Sequence, residues 1–331
     1  MPLFMDEECV TGLVTMDDAL EVLDELFREQ GKGGVVNVPR VRAPVKGGIL
    51  RITTAVLSYR GYYGIKISSN AVSSKHVGRL FCLYREDGAD LCAIMQVYGM
   101  GAIRTGAASG IATRYLSNPG AATLGVIGSG PQARTQTQAI CKVRPIREIR
   151  AYSKTPENRD RFCSEIEKLT GVKAVAAASA EGAARDSDVI VTATNSRSPV
   201  LQGKWLAPGT HVNAIGANYE SRRELDLDAV AAARFVAADD REQVQYESTD
   251  LVEAVKNGII QWDDVYNLAD VVSGRVRGRN SPRDITLFKS LGVAMEDVAL
   301  AARAYERAVE RKAGVPLPDL DRMGAVSGHP K

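Results

Sequence analysis

The stretch TLGVIGSGPQARTQTQAICKV, residues 123–143, decides how the second half of the chain folds. Its apolar start predicts a buried strand, and the residues Gly128 to Ala133 that follow have the pattern GxGxxA in front of a helix. In that setting Gly128 permits a tight turn, Gly130 lets the backbone approach a pyrophosphate, and the small Ala133 lets the helix lie against the strand. The pattern favours a dinucleotide-binding unit over an ordinary glycine-rich turn.

From residue 144 onward, short apolar segments alternate with helical ones. We expect a polar helix near 156–170 and strands in the segments EIRAYS, VKAVAAA, DVIVTAT, HVNAIGA and RFVAAD. Almost wholly apolar strands that alternate with helices indicate a parallel sheet covered on both faces. The segment LFKSLGVAMEDVALAARAYERAVERK predicts one long helix, ended by Gly314 and Pro316, that packs back on the first part of the chain.

The first part of the chain has a different pattern. Thr15 and Asp18 have the spacing of a capping box in front of an amphipathic helix over 16–31. Few helical signals interrupt the β-like segments that follow, which predicts a mostly antiparallel sheet. The segments are VVNVPRVR, GILRITTAVLSY, YYGIKISS, RLFCLYRED and LCAIMQVYG.

A change of domain is expected near residue 118, where Asn118-Pro119-Gly120 breaks a helix of small residues. The sequence thus predicts an α/β protein in two parts. Residues 119–299 form a Rossmann domain with a doubly wound parallel sheet. Residues 1–118, joined by the C-terminal helix at about 300–331, form an α+β domain.

Composition excludes several classes of protein. The 331 residues are 45% hydrophobic and 25% charged, with a formal net charge of +2, so the basic stripe of an electrostatic nucleic-acid binder is not expected. No apolar run is long enough to span a membrane. The acidic start MPLFMDEECV does not read as a signal peptide, and the five scattered cysteines suit reduced cytoplasmic thiols. No cluster of histidine and cysteine suggests a metal site.

The end of the second predicted strand of the Rossmann unit bears on the choice of cofactor. NAD-specific sites usually place an acidic residue there to bind the ribose hydroxyls, whereas this chain has Ser153, Lys154 and Thr155, with Asn158 and Arg159 on the next helical turn. These hydrogen-bond donors and cations suit a 2′-phosphate. We therefore favour NADP(H) and keep NAD(H) as the alternative, in which Lys154 is a solvated surface lysine.

Six segments in order resemble the ornithine cyclodeaminase and mu-crystallin family. They are NVPRV at 37–41, GIKISSN at 64–70, AIRTGAASGIATRYL at 102–116, GVIGSGPQARTQ at 125–136, NAIGA with RREL at 213–225, and LFKSLGVAMEDV at 287–298. The resemblance implies a homodimer in which each subunit has an N-terminal dimerisation and substrate domain and a Rossmann domain. The activities of the family include ornithine cyclodeamination, alanine dehydrogenation, reduction of cyclic ketimines and of iminosuccinate, and opine-like synthesis.

The resemblance also assigns expected roles to single residues. Arg40 matches the arginine that binds the substrate carboxylate, Lys66 the active-site lysine, and Arg104 an arginine near both substrate and cofactor. Without the resemblance, we would expect Arg40 to be a surface arginine on a sheet edge. The side chain of Lys66 would be expected to point either into the protein or toward solvent. Arg51 is a further candidate for the pocket. The candidate cofactor-binding residues are Arg104, Thr105, Gly128, Ser129, Gly130, Pro131, Gln132, Ala133, Ser153, Lys154, Thr155, Asn158 and Thr194.

Asn218 departs from the family pattern. Ornithine cyclodeaminases have an aspartate here, which handles the side-chain amine of the substrate. An amide cannot act as a general base at neutral pH, although it can still hydrogen-bond a substrate or water. Asn218 therefore favours simple hydride chemistry over cyclodeamination. We expect structural or surface roles for His76, His211 and His329; the alternative for His76, which follows GIKISSN, is that it reaches the pocket.

The leading hypothesis is an NAD(P)H-dependent oxidoreductase that reduces an α-imino acid (a ketimine, iminosuccinate or a pyruvate-derived imine) to the amino acid, or catalyses the reverse reaction. One alternative is an ornithine or lysine cyclodeaminase with catalytic NAD. Another is a binding protein similar to mu-crystallin. The expected partners are a small imino or amino acid and a second copy of the chain, with no nucleic acid and no membrane.

Overall fold

The computed structural model describes residues 1–71, 77–219 and 221–318. The helices in these ranges are α1 (Glu7–Leu13), α2 (Met16–Gly31), α3 (Met100–Leu116), α4 (Pro131–Val143), α5 (Pro156–Thr170), α6 (Ala180–Ala184), α7 (Leu227–Ala232), α8 (Arg241–Glu247), α9 (Thr249–Lys256), α10 (Leu268–Val272) and α11 (Ala294–Arg311). The strands are β1 (Leu3–Met5), β2 (Val35–Val45), β3 (Gly48–Leu57), β4 (Tyr62–Ala71), β5 (Val77–Arg85), β6 (Leu91–Gln96), β7 (Thr123–Ile127), β8 (Glu148–Tyr152), β9 (Lys173–Ala176), β10 (Val189–Thr192), β11 (His211–Ala214), β12 (Phe235–Ala238), β13 (Val265–Asn267), β14 (Thr286–Lys289) and β15 (Val315–Pro316).

The first sheet has the strand order β15-β1-β6-β5-β4-β3-β2. Strands β2 to β6 are antiparallel, as the sequence predicts, and β1 adds a parallel pair with β6. Helix α2 spans the expected residues, and the capping box of Thr15 and Asp18 is confirmed. Helices α2, α3 and α11 pack together on the inner face of this sheet, where a buried apolar cluster joins them.

The second sheet has the order β13-β12-β14-β11-β10-β7-β8-β9 and is parallel throughout. The order reverses between β7 and β10, which places the binding crevice of a doubly wound sheet at the carboxyl ends of these two strands. Two apolar clusters pack against the two faces of the sheet. The predicted doubly wound fold is confirmed.

The prediction of one long helix over 287–312 is wrong. Residues Thr286–Lys289 form β14 in the middle of the parallel sheet, and α11 begins only at Ala294. Leu287, Phe288 and Lys289 are buried, as a central parallel strand requires. The helix ends at Arg311, before Gly314 and Pro316. Because α11 packs on α2, β3 and β4, it belongs with the first sheet, and we propose the loop 290–293 as the second crossing between the two domains.

The tail at 319–331 lies outside the described residues. In the described ranges, every helix is too short or too polar to cross a membrane.

Candidate functional site

The glycine-rich turn after β7 has the geometry that the sequence predicts. Gly128 has φ of +122°, and a Cβ at this position would lie 2.3 Å from the carbonyl oxygen of Ala193 after β10. No other residue fits between these two strand ends without moving the backbone. Gly130 caps helix α4, and a Cβ placed on it would have no neighbour within 4 Å, so a ligand can approach its backbone.

The start of α4 fits a dinucleotide in two further respects. Pro131 occupies the first turn, where it does not remove a needed N–H group, and Ala133 is buried against the sheet. The free N–H groups of a helix start favour phosphate oxygens. The buried side-chain oxygen of Gln132 has no hydrogen-bond partner in the described part of the chain, but as an acceptor it does not contribute to phosphate binding. The helix start, with Pro131 and Ala133, fits the pyrophosphate of a dinucleotide.

The end of β8 has the expected polar residues. The Ser129 hydroxyl donates to Ser153 Oγ at 2.9 Å, which links the glycine-rich turn to this strand end. Lys154 and Thr155 are exposed, and Asn158 accepts a hydrogen bond from Arg161. Lys154 is therefore free to reach a phosphate, while the Asn158 side-chain oxygen is already in use.

Thr194, after β10, is held by a buried carboxylate. Its N–H and its hydroxyl donate to Glu224 at 2.6 and 2.7 Å, and Thr192 and the N–H of Gly216 donate to the same side chain. Glu224 thus joins the carboxyl ends of β10 and β11. Thr194 keeps no donor for a ligand, so it shapes the loop rather than offering a hydrogen bond from its hydroxyl.

Arg40 is directed inward by an irregularity in β2. The register with β3 shifts between Val38 and Val41, so that Pro39 and Arg40 together lie opposite Thr53. Such a bulge leaves one N–H unpaired, which suits proline, and it re-aims the neighbouring side chain. Although β2 is an edge strand, the Arg40 side chain is only 10% exposed. The alternative of a surface arginine is wrong.

The Arg40 guanidinium binds the loop that leads from the second sheet to α11. It donates to the carbonyl oxygens of Leu291 and Gly292 at 3.2 and 2.6 Å and to Glu247 at 3.1 Å. The same loop is fixed from the other side by Asp239, whose Oδ2 accepts from the N–H groups of Leu291 and Gly292. Burial raises the pKa of Asp239 to about 6. Arg40, on β2 of the first sheet, is therefore attached to the loop that follows β14 of the second sheet.

Lys66 on β4 also points inward, since its side chain is only 14% exposed and its Nζ donates to Asp297 on α11. Asp297 accepts at the same time from Arg104 Nε at 3.0 Å, so one carboxylate lies between two cations. Arg104 also donates to Glu296 at 2.9 Å. Its Nη2 has no hydrogen-bond partner in the described residues.

The position of Arg104 depends on a glycine. Gly292 has φ of +71°, and a Cβ on it would lie 2.2 Å from Arg104 Nη1. Any side chain at this position would displace the guanidinium. Thr105 helps to hold Arg104, since its hydroxyl accepts from the guanidinium and donates to the carbonyl of Gly101 at 2.9 Å.

Burial changes the acidity of this cluster. It lowers the pKa of Lys66 to about 8, an effect that Asp297 opposes and that the charges of Arg104 and Arg40 strengthen. Burial also raises the pKa of Glu296 to about 8, against the attraction of Arg104. A lysine with a pKa near 8 and a partly exposed side chain can exchange a proton with a ligand.

Asn218 lies after β11, within hydrogen-bonding distance of Arg42 on β2. Its backbone oxygen accepts from Arg42 at 3.3 Å, and its side chain is partly exposed, with no hydrogen bond to a described residue. Arg51 lies directly beside Arg42 in the sheet. His211 is buried with its Nδ1 at 2.9 Å from Thr286 Oγ1, and burial lowers its pKa to about 3, which supports a structural role. His76 and His329 lie outside the described residues.

Comparison with known proteins places this geometry in a family. The sequence profile of the ornithine cyclodeaminase/mu-crystallin family matches residues 2–312. The chain belongs to this family. An alanine dehydrogenase of Archaeoglobus fulgidus is 35% identical over 318 residues, which are 94% of this chain and 97% of that protein.

Two solved structures of similar proteins cover nearly the whole chain. The Δ1-pyrroline-2-carboxylate reductase of Thermococcus litoralis, in complex with NADH and L-proline, has a TM-score of 0.90 and 32% identity, and covers 95% of this chain and 100% of that one. An archaeal alanine dehydrogenase, a dimer with bound NAD, has a TM-score of 0.89 and 34% identity, and covers 96% and 98%. These relatives are oxidoreductases of amino and imino acids.

Sequence reasoning found the cations of this site but missed its anions. Asp297, Glu296, Glu247 and Asp239 hold the arginines and the lysine in place, and none of them is predicted above. A usable signal was present in the segment MEDV, where two adjacent acidic residues stand near the start of a helix. Reading that segment as the middle of a longer helix concealed it.

Proposed function

We propose that this chain is an NAD(P)H-dependent oxidoreductase that reduces an α-imino acid to the amino acid, or catalyses the reverse reaction. The observation that carries the proposal is that Lys66 and Arg104 share Asp297, while Arg40 binds the loop between β14 and α11 at the carboxyl end of a parallel strand. Relatives that cover nearly the whole chain are named as a reductase and a dehydrogenase of such compounds.

The arginines suit the substrate carboxylate. A guanidinium presents donors that match the two oxygens of a carboxylate. Arg104 keeps its Nη2 for this purpose, while Asp297 and Glu296 hold its other nitrogens. Arg40 approaches from β2. Together they would fix the imino carbon in one orientation.

Lys66 would supply the proton. When bound, the reduced nicotinamide provides the hydride that converts an imine carbon into an amine carbon. The ammonium group of Lys66 would donate a proton to the imine nitrogen, and Asp297 holds that group in place. The lowered pKa of Lys66 makes this transfer easier than from an ordinary lysine.

For the cofactor, we propose a preference for NADPH. Its support is the set of Ser153, Lys154 and Thr155 at the end of β8, where an acidic residue would instead favour NAD. Two similar solved structures contain NADH or NAD. The proposed preference for NADPH is therefore independent of the proposed reaction and needs its own test.

We also propose a homodimer. The outer face of the first sheet has an apolar row in which Val41, Ile52, Ile67 and Leu80 are cross-strand neighbours. Val41, Ile67 and Leu80 are 45–55% exposed, which is unusual for neighbouring large apolar residues on a monomer. The similar archaeal alanine dehydrogenase is a dimer. Light scattering should give twice the 35.6 kDa chain mass, and a monomer at micromolar concentration would contradict the proposal.

A screen for oxidation of NADH and NADPH tests the reaction. The substrates are 2-oxo acids with ammonium and preformed cyclic imines, each followed by loss of the absorbance of the reduced nicotinamide. We expect stoichiometric oxidation with at least one imine and little proline from ornithine with catalytic NAD. Rapid proline release without net cofactor turnover would instead establish a cyclodeaminase. Tight cofactor binding with no turnover of either kind would favour a binding protein.

A further inference from the structure

Arg40 is held by the protein through both end nitrogens of its guanidinium. Its Nη2 donates to the carbonyl oxygens of Leu291 and Gly292 at 3.2 and 2.6 Å, and its Nη1 donates to Glu247 Oε2 at 3.1 Å. The first two acceptors are neutral backbone groups, whereas the third is a carboxylate. Arg40 therefore already makes, with Glu247, the kind of contact that the proposed function assigns to the carboxylate of the substrate.

Glu247, the last residue of α8, has partners besides Arg40. Its side chain is only 3% exposed. Oε1 accepts from Arg42 Nη1 at 2.5 Å, and Oε2 accepts from Gln243 Nε2 at 3.0 Å as well as from Arg40 at 3.1 Å. The contact with Arg40 is the longest of these three. If Glu247 gave up Arg40, it would keep a cation and an amide donor, so its charge would not be left buried without a partner.

The position of α8 against β2 does not depend on Arg40 alone. Asn37 on β2 donates to Asp240, the N-cap residue of α8, at 2.8 Å. Arg42, also on β2, binds the other end of α8 through Glu247. Both ends of α8 thus have a contact with β2 that leaves Arg40 out. Nη1 of Arg40 can therefore exchange its acceptor without separating α8 from β2.

The Arg40 side chain is only 10% exposed, and its charge needs a nearby anion. Burial lowers the pKa of Arg40, an effect that the attraction of Glu247 opposes. The charges of Arg42 and Arg104 lower this pKa further. Removing one partner of a buried ion pair is costly unless another anion takes its place. A ligand with a carboxylate can replace Glu247 on Nη1, whereas a neutral ligand cannot.

We propose that Glu247 competes with the substrate carboxylate for Arg40 Nη1, so that this buried glutamate sets the affinity for the substrate. The inference rests on the proposed function, in which Arg40 binds that carboxylate. Two carboxylates beside one nitrogen repel each other, so one of them occupies Nη1 at a time. Nη2 keeps the guanidinium attached to the loop while Nη1 passes from Glu247 to the substrate. Glu247 takes no part in the transfer of hydride or proton.

Competition and simple support predict opposite effects for the loss of Glu247. A competitor lowers the observed affinity by the fraction of the protein in which Arg40 is available. If Glu247 holds Nη1 about nine-tenths of the time, removing its charge strengthens binding about tenfold. A glutamate that only orients Arg40 would have the opposite effect, because its loss would let the guanidinium turn away and weaken binding.

Binding of acetate tests the sign of the effect without any need for turnover. Acetate offers the carboxylate of the proposed substrate and little else. With NADP+ present and at constant ionic strength, calorimetry should show that Glu247→Gln binds acetate at least about threefold more tightly than the unchanged protein. Glu306→Gln is the control, since it removes the same charge from a pair with Arg60 at the turn between β3 and β4. Weaker, equal or undetectable binding in Glu247→Gln would overturn the inference.

A double-mutant cycle shows whether the effect passes through Arg40. Removal of a negative charge also favours an anion through space, and that effect does not need Arg40. In an Arg40→Gln background, Glu247→Gln should change the affinity for acetate by less than about twofold. Loss of detectable binding in both Arg40→Gln forms supports the inference as well, because the gain then requires Arg40. The same gain in both backgrounds would overturn the competition.

Arg42→Gln provides a test in the opposite direction and applies even if Glu247→Gln does not fold. Without Arg42, Glu247 loses its shortest contact and depends more strongly on Arg40. Acetate should then bind at least about threefold more weakly than to the unchanged protein. Unchanged or tighter binding in Arg42→Gln would overturn the inference.

Kinetics separate this inference from the proposed function. With a preformed cyclic imine, Glu247→Gln should raise kcat/KM at least about threefold, mainly through a lower KM. The pH dependence of the rate should stay the same, because Lys66 and Asp297 are unchanged. A higher KM in Glu247→Gln would overturn the competition and leave the reaction intact. If the unchanged protein reduces no imine while acetate binds as expected, only the proposed function is overturned.

Discussion

Two buried lysines in this molecule each pair with a buried aspartate, but their surroundings differ. Lys289 on β14 lies in the middle of the parallel sheet, and its Nζ is 3.1 Å from Asp250, with both side chains fully buried. Lys66 on β4 of the first sheet pairs with Asp297 on α11 and is 14% exposed. The first pair is enclosed by protein, and the second can meet a ligand.

The partners of the two aspartates make the difference clear. Asp250 uses its other oxygen to accept from the N–H groups of Glu224 and Leu225, so its hydrogen bonds fix the backbone. Asp297 uses its other oxygen to bind Arg104, a second cation with a free donor. In this molecule, the pair that is the candidate for function is the partly exposed one that lies beside an unused donor, the Nη2 group of Arg104. The same contrast predicts opposite effects of mutation at the two lysines.

The largest effect is expected from Lys66→Met. Loss of the proton donor should lower kcat/KM for imine reduction by about 10²- to 10⁴-fold, the usual range for a general acid. Lys66→Arg keeps the charge but cannot titrate near neutral pH, and should also be strongly impaired. Steady-state kinetics with a preformed cyclic imine measure this. A loss below tenfold in both variants would remove Lys66 from the chemistry.

Lys289→Met should act on stability instead. It leaves Asp250 buried without its cation, which costs about 3–5 kcal/mol in the free energy of unfolding. Denaturant unfolding measures the change, and the double variant Lys289→Met/Asp250→Leu should recover part of the loss because it removes the unpaired charge. A loss below about 1 kcal/mol, as for a surface pair, would show that the pair is not enclosed as described.

The pH dependence of the rate should report the protonation state of Lys66. Reduction needs Lys66 in its ammonium form, so the rate should fall as the pH rises through about 8, the lowered pKa of Lys66. The reverse oxidation needs the neutral amine and should rise over the same range. A preformed cyclic imine avoids the pH dependence of imine formation. Lys66→Arg should lose the descending limb between pH 7 and 9, and a limb that persists in this variant would assign it to another group.

A smaller effect is expected at Asn218. Asn218→Asp places a carboxylate after β11, where it can accept a proton from a substrate amine. We expect weak release of proline from ornithine with catalytic NAD, against a negligible rate in the unchanged protein. Asn218→Ala is the control, since it removes the amide without adding a base. Rapid proline formation by the unchanged protein would show that Asn218 does not prevent the cyclodeaminase cycle.

The sequence predicted those parts of the molecule that depend on local pattern. The turn at Gly128, the capping box at Thr15 and the parallel sheet follow from spacing and apolar runs, and the structure confirms them. The strand Thr286–Lys289 was mistaken for helix because its four residues lie next to a strong helical pattern. Its identity depends on pairing with β11 and β12, which are distant in the chain.

The same limit applies to the site. Resemblance to the family drew attention to Arg40, Lys66 and Arg104, and the structure brings these three side chains together. Their acidic partners could not be assigned from spacing, since each comes from a distant element. The bulge at Pro39 and Arg40 was also not predicted, because a shift of register depends on the neighbouring strand.

The smallest effect is expected at a third lysine, Lys154, which is exposed at the end of β8 and is paired with no described residue. If Lys154 binds the 2′-phosphate, Lys154→Ala should weaken the binding of NADPH by about two- to fivefold, which is the range of a solvent-exposed ion pair. The affinity for NADH should stay the same. The difference in affinity between NADPH and NADH should also shrink as salt is added, because exposed charges are screened. Lys168→Ala, an equal change on the exposed side of α5, is the control. Titration of cofactor fluorescence measures both affinities. Equal affinity for NADPH and NADH in the unchanged protein would contradict the preference, and Lys154 would then be a solvated lysine, unlike either of the two buried ones.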